Sequence, residues 1–168
     1  MGVRRNSDLL DSKVFKIIIE NTPLVSIDLC LVCKGQLLLG SRNNEPLKGR
    51  WFTPGGRIHK NESWQAALKR ITFSELGLPD ADLDDFELMG VWDHFYSNSA
   101  IDEGTSTHYV NLPHFCRLES KPVILGDSQH DHFDWFDIDK VASDEGFHKY
   151  VRNYAAYLER KKIENVKN

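Results

Sequence analysis

The chain has 168 residues, which suits one domain with a buried core. Hydrophobic residues make up 40% and charged residues 27%, the balance of an ordinary globular protein. The formal net charge of −4 argues against a nucleic-acid surface, which needs clustered cations. An anionic substrate would have to be met by a bound cation or a few placed arginines.

Residues 8–20 mix apolar and polar side chains at helical spacing, and Asn21-Thr22-Pro23 stops that helix. Leu24 to Val32 is β-branched and apolar, hence a buried strand, with one acid, Asp28, inside it. Lys34-Gly35 turns the chain into a second strand at Gln36 to Leu39, which makes a hairpin. Residues 41–50 are polar and loop-like, and Trp51-Phe52-Thr53 is a short strand ending at Pro54-Gly55-Gly56. Ser63 to Leu76 is the clearest helix. Asn61 or Ser63 can cap its start, and Gly77 can end it in the left-handed conformation with Leu78 as the accompanying apolar contact.

Phe86 to Tyr96 and Thr107 to Leu118 read as two further strands joined by a polar loop at 97–106. A polar loop at 126–132 precedes a short strand, Phe133 to Phe136. The last helix carries Phe147, Tyr150, Val151, Tyr154, Ala155 and Leu158 on one stripe. Helices at both ends and in the middle, with strands between them, make a single layered α/β (α+β) domain over 1–168.

Three cysteines without framework spacing suggest a reducing compartment, and Cys30 and Cys33 read as small core residues of a strand. No apolar run approaches the length of a membrane span, and the basic start is followed by no apolar segment, so the expected location is cytoplasmic.

One residue breaks the pattern of the 63–76 helix. Trp64, Ala67, Leu68 and Ile71 share one apolar face, and Glu75 falls in the middle of it. A carboxylate there needs a cation or hydrogen-bond donors; a salt bridge to Arg or Lys, or a stripe that opens to solvent at its end, would also serve. Gly55-Gly56 just before the helix lets backbone approach a ligand closely. A carbonyl plus a carboxylate is a hard-oxygen pair suited to magnesium, and Arg57 and Arg42 could neutralise a diphosphate.

Gly56, Glu62, Arg70, Glu75, Gly77 and Leu78, at these spacings, resemble the Nudix box over 56–78. Such a resemblance implies a Nudix fold, a mixed β-sheet sandwiched between α-helices. It also implies divalent-metal hydrolysis of a nucleoside diphosphate linked to another group. Two positions depart from the box: Ile71 and Ser74 stand where the family carries glutamates. Positions 71, 74 and 75 lie on one helical face, so a cluster of three carboxylates is reduced to one.

That loss is similar to the GDP-mannose mannosyl hydrolase branch, and the likeness extends over residues 8–155. It includes Thr22-Pro23-Leu24-Val25-Ser26, Trp51-Phe52, Pro54-Gly55-Gly56-Arg57, Gly90-Val91-Trp92, His94-Phe95-Tyr96, Thr107-His108-Tyr109-Val110 and Gln129-His130-Asp131. The resemblance implies attack of water on carbon 1 of GDP-mannose, or GDP-glucose, giving GDP and a free hexose with inverted configuration. It further implies one Mg2+, for which Mn2+ can substitute, held by Gly55, Glu75 and Gln129, with His130 as general base. Arg42 and Arg57 would bear on the leaving diphosphate. Asp28, Arg42, Arg57, His94, Tyr96 and Tyr109 would contact substrate, and the chain would be a homodimer with residues 1–20 near the partner. His132 is the alternative base by position, while His59 and His148 read as plain surface residues. Glu62 is expected to orient the loop or cap the helix. Two other readings stay open: a pyrophosphatase cleaving a nucleotide sugar at phosphorus, and a non-catalytic nucleotide-sugar sensor.

Overall fold

The structure is a computed structural model that describes residues 10–43, 45–78, 83–101, 103–124 and 130–166. Nine strands form a mixed sheet: β1 (Leu24–Cys33), β2 (Gln36–Arg42), β3 (Trp51–Phe52), β4 (Gly55–Arg57), β5 (Phe86–Leu88), β6 (Trp92–Tyr96), β7 (Thr107–Asn111), β8 (His114–Leu118) and β9 (His130–Asp137). The helices are α1 (Ser12–Asn21), α2 (Trp64–Leu76), α3 (Ile138–Ser143) and α4 (Lys149–Val166).

Strand β1 is the axis. Leu24 to Ser26 runs parallel to β7, and Ser26 to Asp28 is antiparallel to β4. Leu29 to Cys33 then runs parallel to β8, while Val32 and Cys33 begin the antiparallel hairpin with β2. Its side chains alternate between two cores, as the two-residue period of a strand requires. Ile27, Leu29 and Leu31 pack with Leu38 against Ala67, Leu68, Ile71 and Leu76 of α2. Cys30 and Val32 pack with Leu37, Leu39, Phe52 and Phe115 against Val141 of α3 and Tyr150, Val151, Tyr154, Ala155 and Leu158 of α4. The sheet therefore lies between helices on both faces, as the mixed-sheet expectation has it. All three cysteines are free and buried, and the stripe read on the last helix is the one that packs.

The ends of α2 follow local chemistry. Ser63, not Asn61, is the N-cap, and its hydroxyl accepts from the Ala66 N–H at 3.2 Å. Gly77 ends the helix at φ 69°, and Leu78 packs on the neighbouring core. Trp64 departs from expectation: it is 46% exposed and stacks on His114 at 5.5 Å between ring centroids. It stands in the first turn of the helix, against β8.

Two long strands expected from the sequence are each broken. Gly90 takes φ 125°, a conformation other residues rarely reach, and splits Phe86–Tyr96 into β5 and β6. Pro113 has no N–H to donate, and Thr107–Leu118 divides there into β7 and β8. The Met89 N–H donates to the Pro113 carbonyl at 2.9 Å, so the two breaks face each other, and on either side of them the halves stay paired, β5 with β8 and β6 with β7, with β1 along both β7 and β8. The strand expected at Phe133–Phe136 starts earlier, at His130, and α3 follows it without having been foreseen.

Ile71 accounts for one departure from the box. It is fully buried, and a Cβ added at Gly56 would lie 3.2 Å from its Cγ1, so the helix is docked directly onto the glycine strand. Ser74 is exposed, with its hydroxyl donating to the Ile71 carbonyl at 3.3 Å. Ile71→Glu is expected to cost on the order of 3 kcal/mol or more, because it places a carboxylate in a closed apolar contact. Ser74→Glu should stay within about 0.5 kcal/mol. Urea unfolding of the two variants checks the contrast; equal losses would contradict it.

Candidate active site

A cavity of about 750 Å³ opens over β1, β4 and the C-terminal part of α2. Asp28, Arg42, Gly55, Arg57, Glu75, His94, Tyr96 and Tyr109, all singled out by sequence, line it together. Gln129 lies outside the described residues, as does the side chain of His130. The backbone of His130 is in β9 and not in the loop expected from sequence. It stands opposite Arg42, just past a register shift between Ser41 and Arg42.

The glycines are set by contact. Gly55 pairs with Asp28 across the β1–β4 ladder. A Cβ at Gly55 would fall 2.5 Å from Asp28 Oδ1 and 2.6 Å from the Ile27 carbonyl, so no side chain fits there. The following loop is clamped by Glu62. Its carboxylate accepts two hydrogen bonds from Arg70, at 2.7 and 2.8 Å, and one from the His59 N–H at 2.9 Å. Arg70 also donates to the Arg57 carbonyl at 2.8 Å. These donors hold the Glu62 carboxyl at a pKa of about 2. Glu62 thus orients the loop, as the sequence led one to expect.

Three arginines line the cavity; Arg70 is taken up by Glu62, which leaves Arg42 and Arg57. Arg42 is the last residue of β2, and its loop is closed by Arg42 N–H to Arg50 O at 3.0 Å and Gly49 N–H to Arg42 O at 2.7 Å. Among the described residues its buried Nε has no hydrogen-bond partner, a donor available to an anion. The Arg57 guanidinium lies 4.0 Å over the ring of Phe15 from α1. Phe15 was missed in the sequence, where nothing marks which residue of an N-terminal helix will reach a distant loop.

Asp28 is 6% exposed and its carboxyl is raised to about 6. Burial is the cause, partly offset by hydrogen bonds from Tyr154 and Asn111 and by the charge of Arg42. His94 is 1% exposed and is lowered to about 3, chiefly by burial and then by its neighbour His148, so it is neutral at physiological pH. Burial also raises the Tyr96 and Tyr109 hydroxyls, which stay protonated. His148 is no plain surface residue: it is half-buried, with ring centroids 6.0 Å from Phe52 and 5.0 Å from Tyr150. His59 likewise lines the cavity.

Glu75 is 4% exposed and lines the same cavity as Gly55. A carboxylate and a backbone carbonyl are donors that suit one magnesium ion. Among the described residues no group of three His, Cys, Asp or Glu side chains is placed to hold a metal, and Ile71 and Ser74 add no carboxylate. The donor set fits one ion completed by water and substrate, not a cluster.

Comparison with known proteins agrees with this architecture. The family model described as the NUDIX domain matches residues 23–157. The chain is 36% identical over 145 residues to the low-salt glycan biosynthesis protein Agl8 of Haloferax volcanii, covering 86% of this chain and 88% of that protein. A MutT NUDIX hydrolase from Burkholderia pseudomallei superimposes with a TM-score of 0.65 at 22% identity, over 82% of this chain and 98% of that one. The NUDIX domain of Shewanella oneidensis NrtR, solved with ADP ribose, gives 0.64 at 16% identity over 90% and 93%. Among the described residues no helix is long and apolar enough to cross a membrane.

Asp28 is an acid raised above its unfolded value of 3.8, so its burial weakens the fold as pH rises from about 4 to about 6 and the cost is complete above that. Asp28→Asn removes the charge. It is expected to raise stability by up to about 3 kcal/mol at pH 8 and to change it little at pH 4. Thermal unfolding across pH checks this; a variant less stable at pH 8 would contradict it.

Proposed function

The chain belongs to the Nudix hydrolase family, and from that membership we propose that it hydrolyses GDP-mannose, or GDP-glucose, to GDP and free hexose. The observation that carries this reading is the single buried carboxylate, Glu75, left on α2 in a cavity that also presents two arginines and a buried acid. Attack at phosphorus is commonly served by clustered carboxylates and paired metals. Attack at carbon asks less, since the diphosphate only has to leave. The glycan-biosynthesis relative favours a sugar nucleotide, and the NrtR domain with ADP ribose shows a ligand of that general kind on this fold.

Glu75, the Gly55 carbonyl and Gln129 would hold Mg2+, with Mn2+ able to replace it. Hydrolases of the family generally use such divalent ions. When bound, the ion supplies positive charge against the developing charge of the leaving diphosphate. Arg42 and Arg57 bind the same diphosphate, and the Phe15 ring keeps Arg57 aimed at it. Asp28 accepts from a hydroxyl of the substrate, and Tyr96, Tyr109 and His94 shape the wall around it. His130 takes one proton from water as the water oxygen bonds to carbon 1. The bond from carbon 1 to the diphosphate oxygen breaks, and GDP keeps the electron pair. Attack from the far side inverts the anomeric centre.

Val14 at 46% and Ile17 at 61%, exposed apolar residues on one face of α1, with Leu10 at 55% just before the helix, support the homodimer implied by the resemblance. Sedimentation at micromolar concentration should give a dimer; a monomer would contradict it.

The products distinguish the reactions. With GDP-mannose and magnesium, GDP is expected by phosphorus NMR and a free hexose by a reducing-sugar assay. GMP with hexose 1-phosphate would establish cleavage at phosphorus, and tight binding without products would establish a sensor. Glu75→Gln should lower turnover on the order of 10²–10³, as does loss of one group stabilising transition-state charge. His130→Gln should lower it by about 10²–10⁴ and remove the acid limb that a neutral base gives the pH–rate profile. A limb unchanged in that variant would transfer the role of base to His132 or a carboxylate.

A further inference from the structure

Four polar side chains from four elements meet at the buried wall of the cavity: Asp28 of β1, His94 of β6, Asn111 of β7 and Tyr154 of α4. They are exposed by 6%, 1%, 2% and 0%, so each hydrogen bond among them must be made inside the protein. Asp28 Oδ2 accepts from Asn111 Nδ2 at 2.7 Å and from the Tyr154 hydroxyl at 2.8 Å. The same hydroxyl lies 3.1 Å from His94 Nε2, and Asn111 Nδ2 lies 3.4 Å from His94 Nδ1.

Counting hydrogens fixes the direction of every bond. The carboxylate has none to give, so both of its neighbours donate. Tyr154 has a single hydrogen and uses it on Asp28, so its oxygen accepts from His94, and Nε2 must carry the ring hydrogen. The second hydrogen of the Asn111 amide faces Nδ1, which accepts. A reversed amide would set its oxygen against the carboxylate oxygen. His94 is therefore neutral, in one tautomer, with both nitrogens engaged inside the protein and one ring face covered by Tyr150 at 3.8 Å and 12°. It has no nitrogen left for a substrate. Neither Asn111 nor Tyr154 reaches Asp28 Oδ1, which lies beside the Gly55 strand at the cavity. The buried Thr53 hydroxyl also bears on the Asp28 carboxyl, and Arg42, Tyr96 and Tyr109 are further polar groups near it.

We propose that His94, Asn111 and Tyr154 are positioning residues that act on the substrate through Asp28, locking its carboxylate so that Oδ1 is presented to the cavity purely as an acceptor. The group it receives is then a hydrogen-bond donor, a sugar hydroxyl and not a phosphate or carbonyl oxygen. The proposal rests on the reading of Asp28 as a substrate contact. It departs from the expectation that His94 touches substrate directly.

The test joins a spectrum to a mutant cycle. In the 15N NMR spectrum of the full chain, His94 should show a protonated Nε2 and an unprotonated Nδ1, and Tyr154→Phe should let the tautomers mix. Tyr154→Phe should lower kcat/KM for GDP-mannose by about 10–100-fold, mainly through KM, the worth of one hydrogen bond to a charged group. In an Asp28→Asn background, where the acceptor has become an amide, the same change should cost less than about threefold. Asn111→Leu should behave in the same way and carries the cycle should Tyr154→Phe not fold. Additive penalties, or a His94 protonated at Nδ1 in the wild type, would overturn the proposal. A wild type that releases no hexose from GDP-mannose would overturn the functional reading instead, and the tautomer would then decide the arrangement of the four groups by itself.

Discussion

The site depends on a close approach of two strands that leaves no room for a side chain at position 55. Gly55 stands against Asp28 in the β1–β4 ladder, and a Cβ there would overlap the Asp28 carboxylate and the Ile27 carbonyl. The approach holds Asp28 at the cavity wall. One residue on, Gly56 lets Ile71 pack against the strand and brings α2 down with its last turn at the cavity. Glu75 is delivered by that docking. The apolar contact that seats the helix occupies a position where the Nudix box carries a carboxylate, so the packing of α2 and the loss of that carboxylate are one feature.

Charge in the cavity is arranged around that frame. A buried acid weakens the fold at neutral pH, and Asp28 remains useful because Tyr154, Asn111 and Arg42 offset part of the cost of burying it. Arg57 is kept in place by a ring beneath it and by Arg70, which grips its carbonyl and is itself gripped by Glu62. The loop, the helix and the arginine are thus tied into one rigid unit before any ligand arrives, which is what stabilising a developing charge requires.

Much of this was legible in the sequence where the cause is local. A cap at Asn61 or Ser63, which the structure gives to Ser63, the left-handed stop at Gly77, the apolar stripe of α4 and the anomalous Glu75 each follow from a few neighbouring residues. The cavity residues quoted by resemblance converge in the structure, although their roles stay proposals. What sequence could not supply depends on distant partners. Gly90 and Pro113 were visible as breakers, but only their meeting across the sheet shows that both strands divide at one level. Phe15, Asn111 and Tyr154 read as unremarkable helix and strand residues. They became site residues through contacts with Arg57 and Asp28 that span 42, 83 and 126 positions of chain. Trp64 fits a helical stripe by period and is still 46% exposed, because period says nothing about how much of a first-turn side chain its neighbours cover.

Whether water attacks carbon or phosphorus is the claim on which the reading of the site turns. Hydrolysis of GDP-mannose in water enriched in oxygen-18, with magnesium and early sampling, locates the new bond by mass spectrometry. The account predicts label at carbon 1 of the released hexose and none in the nucleotide. Label in a phosphate, with the sugar unlabelled, would contradict it.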